Sequence, residues 1–179
     1  MKIKSLVLCA LFAATTAVLA QAVIPIGLIP VNLAHVSVFL AAGLLGAHYG
    51  ALSQLVYILI GVAGVPVFSG LRGGLGVLLG PTGGFLLGYM LSAFVSGFLM
   101  ARKPTTVKWI SLAILAGWFF TYAPGVLWFM FQQKTSATAA LSACVLPFLP
   151  GDALKTVVCV LLLRRLRPLI PGLRPTEKA

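Results

Sequence analysis

Asp152 and Lys155 stand three residues apart in LPFLPGDALKTVVCVLLL, and Asp152 is the sole acid within the apolar runs of the chain. On a helix that spacing puts both side chains on one face. Ionisable groups at membrane depth are expensive, and they pair with each other or serve a site. A carboxylate accepts N–H donors and an ammonium donates to a carbonyl, so together the two match a urea-like group. The competing reading is an ion pair that only locks two helices. Pro150 and Gly151 fit the first turn of a helix, which places Asp152 at the positive end of its dipole.

A second candidate is Arg72, the one charge in the segment 64–89, GVPVFSGLRGGLGVLLGPTGGFLLGY. The segment contains neither G-x-x-x-x-G-K-[ST] nor a G-x-G-x-x-G placed between a strand and a helix, which excludes a phosphate loop. GPTGG has a faint likeness to a cation-selectivity loop, but Arg72 beside such a pore would repel cations. What remains is a loop that folds back on the bundle and offers its backbone to a ligand, because glycine permits close approach and irregular backbone is tolerated where it lines a cavity. In such a pocket Arg72 would bind a carboxylate bidentately. Its alternative is a headgroup anchor at the interface. Phe68, Tyr89, Trp118, Tyr122 and Trp128 are candidates for the apolar wall, against the interface-belt role common for Trp and Tyr. Asn32 either reaches over the same cavity or caps the second helix.

These residues must be positioned by membrane helices. Of the 179 residues 60% are hydrophobic and 8% charged, and 13 Lys and Arg against two acids leave a net charge of +11. The basic residues flank the apolar runs, which suits orientation and anionic lipid and excludes nucleic acid as a partner. Cys9, Cys144 and Cys159 lack C-x-x-C spacing, and His35 and His48 lack clustered ligands, so no metal and no cofactor is expected. The pattern predicts an all-α integral membrane protein, one domain with six transmembrane helices at about 5–24, 34–48, 50–64, 83–101, 107–130 and 138–166, then a basic tail at about 167–179. A tight turn near Gly46 and Gly50 joins the second and third spans, both short for crossing a bilayer. The start imitates a signal peptide, but small residues at four-residue spacing, Ala10 with Ala14 and Ala13 with Ala17, favour a first helix that packs closely on a neighbour. Lys2, Lys4, Arg102, Lys103, Lys108 and the basic residues after the sixth span fall on one side, which puts both termini in the cytoplasm and the 25–32 and 64–82 loops outside.

PVFSGLRGGLGVLLGPTGGFLLGY together with FLPGDALK resembles the biotin transporter BioY family, the substrate-binding S components of energy-coupling-factor transporters. The resemblance implies a six-helix S-component bundle in the bacterial inner membrane that binds biotin as its transported substrate. It also implies partners: a transmembrane coupling protein, met by Ala10, Ala14 and Ala17, and two cytoplasmic ATPases. Carried over by motif, Asp152 and Lys155 hold the ureido ring, while Arg72 on the valerate carboxylate follows from charge matching. Phe68, Tyr89 and Asn32 complete the expected substrate site. The loop PIGLIPVNLAH is less polar than the family pattern. No ATPase motif is present, so ATP-driven uptake relies on partners. An enzyme is disfavoured because Asp152 has no catalytic partner in sequence. A stand-alone secondary transporter of a small organic anion is the alternative, although no inverted halves are visible.

Overall fold

The computed structural model describes residues 3–24, 31–102 and 106–169. Lys2, Lys103, the loop prolines Pro25 and Pro30, and the tail from 170 onward, with Arg174 and Lys178, lie outside the described residues. The elements in order are α1 (Ile3–Ala20), β1 (Val23–Ile24), β2 (Val31–Asn32), α2 (Ala34–Leu45), α3 (Ala47–Val62), α4 (Leu75–Leu78), α5 (Gly83–Arg102), α6 (Val107–Gln133), α7 (Ala137–Cys144) and α8 (Leu149–Leu166), with a closing 3₁₀ turn at Arg167–Leu169. The two strands form an antiparallel ribbon pairing Val23 with Asn32 and Ile24 with Val31. Everything else of substance is helix.

Helices dominate because a chain this apolar must satisfy its backbone within each segment. Hydroxyls follow the same rule: Thr15, Thr16, Thr121 and Thr156 donate to the carbonyls of Leu11, Phe12, Gly117 and Asp152, four residues back in each case. Helices α1, α5 and α6 are long and apolar enough to cross a bilayer, with α7 and α8 as a bent pair. At 12 and 16 residues, α2 and α3 reach only about 18 and 24 Å. Both sit behind longer neighbours, with α2 packed on α1, α3, α5 and α8.

Several expected boundaries are corrected. The first helix stops at Ala20 and the chain from Val23 turns into the ribbon, rather than continuing to 24. The second and third helices are joined at Gly46 alone, whereas Gly50 lies inside α3, where an added Cβ would fall 2.9 Å from Ala42 Cα. The expected sixth span 138–166 is two helices meeting at 53°. Pro147 supplies no N–H and disfavours helix at Leu146, which breaks the run there.

The core is made by close helix approach. Among the described residues α5 and α6 share the most extensive contact, and a Cβ on Gly88 would lie 2.8 Å from the Thr121 carbonyl oxygen. Between α1, α2 and α3 a fully buried polar cluster takes over: Thr16 Oγ1 lies 2.9 Å from Ser37 Oγ, and Gln54 Nε2 reaches Ser53 Oγ at 3.0 Å and Thr16 Oγ1 at 3.3 Å. At the end of the bundle where α2, α5 and α8 finish, Arg167 donates through Nε to Gly43 O at 2.9 Å and through Nη2 to Met100 O at 3.3 Å. A guanidinium there meets the negative ends of two helix dipoles.

Candidate functional site

Phe148 precedes the first turn of α8, and the Asp152 N–H bonds its carbonyl at 2.9 Å. Pro150 and Asp152 therefore occupy the helix start that the sequence predicts for them. Asp152 and Lys155 are only 5% and 6% exposed, and Lys155 Nζ lies 2.9 Å from Asp152 Oδ1. The other carboxylate oxygen accepts from the Tyr122 hydroxyl. Lys155 Nζ also stands 5.6 Å from the ring centre of Trp118, within reach of its π face. Trp118 is held in turn, its Nε1 donating to Thr156 Oγ1 at 3.0 Å.

This pair closes one end of a cavity of about 40 Å³, whose walls include Asn32, His35, Phe85, Tyr89, Trp118 and Tyr122. The wall is a run of rings: Tyr89 edge-on to His35 at 4.6 Å, His35 on Trp118 at 4.4 Å, Trp118 stacked with Tyr122 at 5.9 Å. A second cavity of about 50 Å³ adjoins it and includes Phe68, Ser69 and Arg72. Asn32, Phe85 and Tyr89 belong to both.

The glycine-rich segment forms the wall of the second cavity. Phe68 and Arg72 pair backbone to backbone, N–H to O distances being 2.9 and 3.2 Å, around a tip where Gly70 and Leu71 have φ of 74° and 55°. Phe68 turns inward, 2% exposed, and stands edge-on to Tyr57 at 5.6 Å. Arg72 stays at the exposed rim and donates from Nε to Ser69 O at 3.0 Å. No Cβ could be added at Gly73, where it would fall 2.5 Å from Val65 O.

The expected site residues thus fall into two adjoining groups, Asp152 and Lys155 in one cavity, Phe68 and Arg72 in the other, with Asn32 and Tyr89 in both. Asn32 lines the cavities but does not cap the second helix, whose N-cap is Leu33. Its Oδ1 accepts from Ala34 N at 3.0 Å at the start of α2, and its Nδ2 donates to Ser69 Oγ at 2.6 Å. Trp118 and Tyr122 line the first cavity as anticipated, whereas Trp128 donates to Gly80 O at 2.9 Å and lines neither. Ala10, Ala14 and Ala17 line a different place, an apolar groove of about 350 Å³ between α1 and α3.

Residues that sequence reasoning passed over are Gln21, His35, Phe85 and Ser69. Gln21 is the most consequential: its Nε2 donates to Val67 O at 3.0 Å and its Oε1 accepts from Leu71 N at 3.0 Å, so it ties the 67–71 tip to the end of α1. A lone amide ending an apolar run, in LAQAV, was its available signal. His35 had none beyond its position in an apolar helix.

The family model described as BioY matches residues 1–172. The chain belongs to the BioY family. It is similar to the biotin transporter BioY of Thermotoga maritima, 39% identical over 93% of this chain and 97% of that one. The biotin transporter BioY of Rhizobium etli is 36% identical over 96% and 99% of the two chains. Among solved structures it matches a crystal structure of the S component for biotin from an ECF-type ABC transporter, with a TM-score of 0.86 at 30% identity over 93% of this chain and 92% of that one. The S-component bundle that the BioY resemblance implied is therefore the fold of this chain. Its long apolar helices make it a multi-pass membrane protein.

Proposed function

We propose that this BioY-family chain is the biotin-binding subunit of a vitamin uptake system. One observation carries the reading: a buried carboxylate and ammonium, 2.9 Å apart, face a ring-walled cavity inside a membrane bundle. Biotin has a cyclic urea at one end and a carboxylate at the other. A urea N–H needs an acceptor and the urea oxygen a donor, which the Asp152 carboxylate and the Lys155 ammonium supply. The carboxylate then extends toward Arg72 through the space shared by Asn32, Phe85 and Tyr89. The two cavities share these residues, so one elongated ligand with a polar group at each end spans both. The reading needs no chemical step and no cofactor.

Orientation follows from charge. Lys4, Arg102, Lys108, Arg164 and Arg165 lie at the helix ends opposite the ribbon and the 64–74 loop, and the positive-inside rule assigns that end to the cytoplasm. The site then opens outward. The groove at Ala10, Ala14 and Ala17 is the docking surface for a transmembrane coupling protein, which joins the chain to two ATPases, and biotin crosses as the bundle tilts against that partner. Support for this assembly comes from the likeness to the ECF-type S component and from small residues that let helices approach.

The test is calorimetric titration of biotin and biotin methyl ester into detergent-purified wild type and Asp152→Asn. Tight biotin binding weakened by the substitution, and weakened again for the ester, is the expected result. No binding by folded wild type overturns the reading. Uptake by the isolated chain in liposomes, driven by a proton gradient, would replace it with a secondary transporter.

A further inference from the structure

Three buried side-chain polar atoms among the described residues have no hydrogen-bond partner: His35 Nε2, Ser92 Oγ and Ser96 Oγ. A buried polar atom without a partner is costly and uncommon in native proteins. The two serines crowd Gly117 at the α5–α6 contact, where a Cβ would lie 2.2 Å from Ser96 Oγ and 2.9 Å from Ser92 Oγ. His35 is different because its ring lines the cavity that holds Asp152 and Lys155. Its orientation there is fixed by Trp118 on one face and Tyr89 at an edge.

The other polar atoms of this cavity are largely spoken for. Asp152 Oδ1 takes Lys155 and Oδ2 takes Tyr122, Asn32 uses Oδ1 on Ala34 N and Nδ2 on Ser69, and Thr121 donates to Gly117 O. A cyclic urea brings two N–H donors and one carbonyl acceptor. Lys155 satisfies the carbonyl. The Asp152 carboxylate, already shared between two donors, keeps lone pairs for an N–H, but the two N–H bonds of a cyclic urea point to opposite sides of the ring, so the far one calls for a separate acceptor. A neutral imidazole nitrogen is one.

We infer that His35 positions the ligand, its Nε2 accepting one urea N–H while Asp152 accepts the other. This rests on the biotin reading above and adds a residue to it. Trp118 against its face and Tyr89 at its edge then act through His35 as well as by apolar contact, since they hold the imidazole where the urea meets it. Selectivity follows: a ligand lacking that N–H leaves Nε2 unpaired again.

The experiment combines calorimetry with nitrogen NMR. Biotin and its two mono-N-methyl urea derivatives are titrated into wild type, His35→Gln, His35→Phe and Tyr89→Phe. His35→Phe should weaken biotin about tenfold, the effect of one buried hydrogen bond, while His35→Gln, which keeps a polar atom near the same place, stays within about threefold. One methyl derivative should bind wild type poorly yet lose nothing further in His35→Phe. In parallel, ring-labelled wild-type protein gives signals from two histidines, assigned through His48→Asn at an exposed position. Biotin should move the His35 Nε2 resonance and leave His48 in place. If wild type does not bind biotin, the underlying reading fails. If it binds while the His35 signal stays put, or the methyl effect couples to Tyr89→Phe instead, the assignment of His35 alone is overturned.

Discussion

Replacing Lys155 by Met should damage stability and binding together, and a second substitution should separate them. Lys155→Met keeps the length of the side chain and removes the ammonium 2.9 Å from Asp152 Oδ1. The carboxylate is then left 5% exposed with the Tyr122 hydroxyl as its remaining side-chain partner. Breaking a buried pair in this way costs about 3–5 kcal/mol, because one charge stays behind uncompensated. For a chain of this size that is a fall in melting temperature of about 10 °C. Adding Asp152→Asn neutralises the leftover charge while keeping an acceptor for Tyr122, so the double variant should recover most of the stability, to within about 1–2 kcal/mol of wild type. Biotin affinity should not recover, since both groups that recognise the urea are gone, and it should stay at least about a hundredfold down. Melting is followed by tryptophan fluorescence in detergent and binding by calorimetry. A single variant that melts with wild type, or a double variant that binds biotin normally, would refute the argument.

Three further outcomes follow from the packing. Gly88→Val places a Cβ 2.8 Å from the Thr121 carbonyl and forces α5 from α6, at a cost of about 1–3 kcal/mol; Gly76→Ala, with nothing within 4 Å, should melt with wild type in the same assay. Gln21→Leu removes the bonds to Val67 O and Leu71 N, so hydrogen exchange at residue 71 should quicken and biotin should dissociate faster in stopped-flow measurements. Ala14→Leu fills the groove between α1 and α3 and should abolish co-purification with the coupling protein while calorimetry in detergent finds biotin affinity intact.

How much of this was legible in the sequence depends on the range of the interaction. Asp152 and Lys155 were readable because three-residue spacing on a helix is local, and their pairing at 2.9 Å is its direct result. The BioY likeness was carried by two short motifs at fixed positions. Gln21 and the 67–71 tip are about fifty residues apart, and no periodicity connects an amide to a loop carbonyl across that distance. His35 was dismissed as a metal ligand for want of neighbours in sequence, yet its neighbours are Tyr89 and Trp118 on two other helices. Residue type identified the polar actors near one another in the chain; tertiary contact chose the rest.

The break in the sixth span shows why its position matters to the site. In an unbroken helix over 138–166 Asp152 would sit mid-helix, with every nearby N–H already bonded and no net dipole to favour a carboxylate. Ending α7 at Cys144 and restarting at Leu149 puts Asp152 in a first turn instead, where the partial positive charge of the helix start acts on it. The interruption costs little backbone bonding, because Val145 and Leu146 donate to Leu141 O and Phe148 and Leu149 to Val145 O. Pro150, in the first turn of α8, lacks the N–H that a helix start would leave unpaired. The same prolines that interrupt the apolar run therefore create the electrostatic setting that lets a charged pair be buried beside the cavity, and the lone acid of the membrane region lies where a helix begins because elsewhere in the span its charge would have only Lys155 and Tyr122 to offset it.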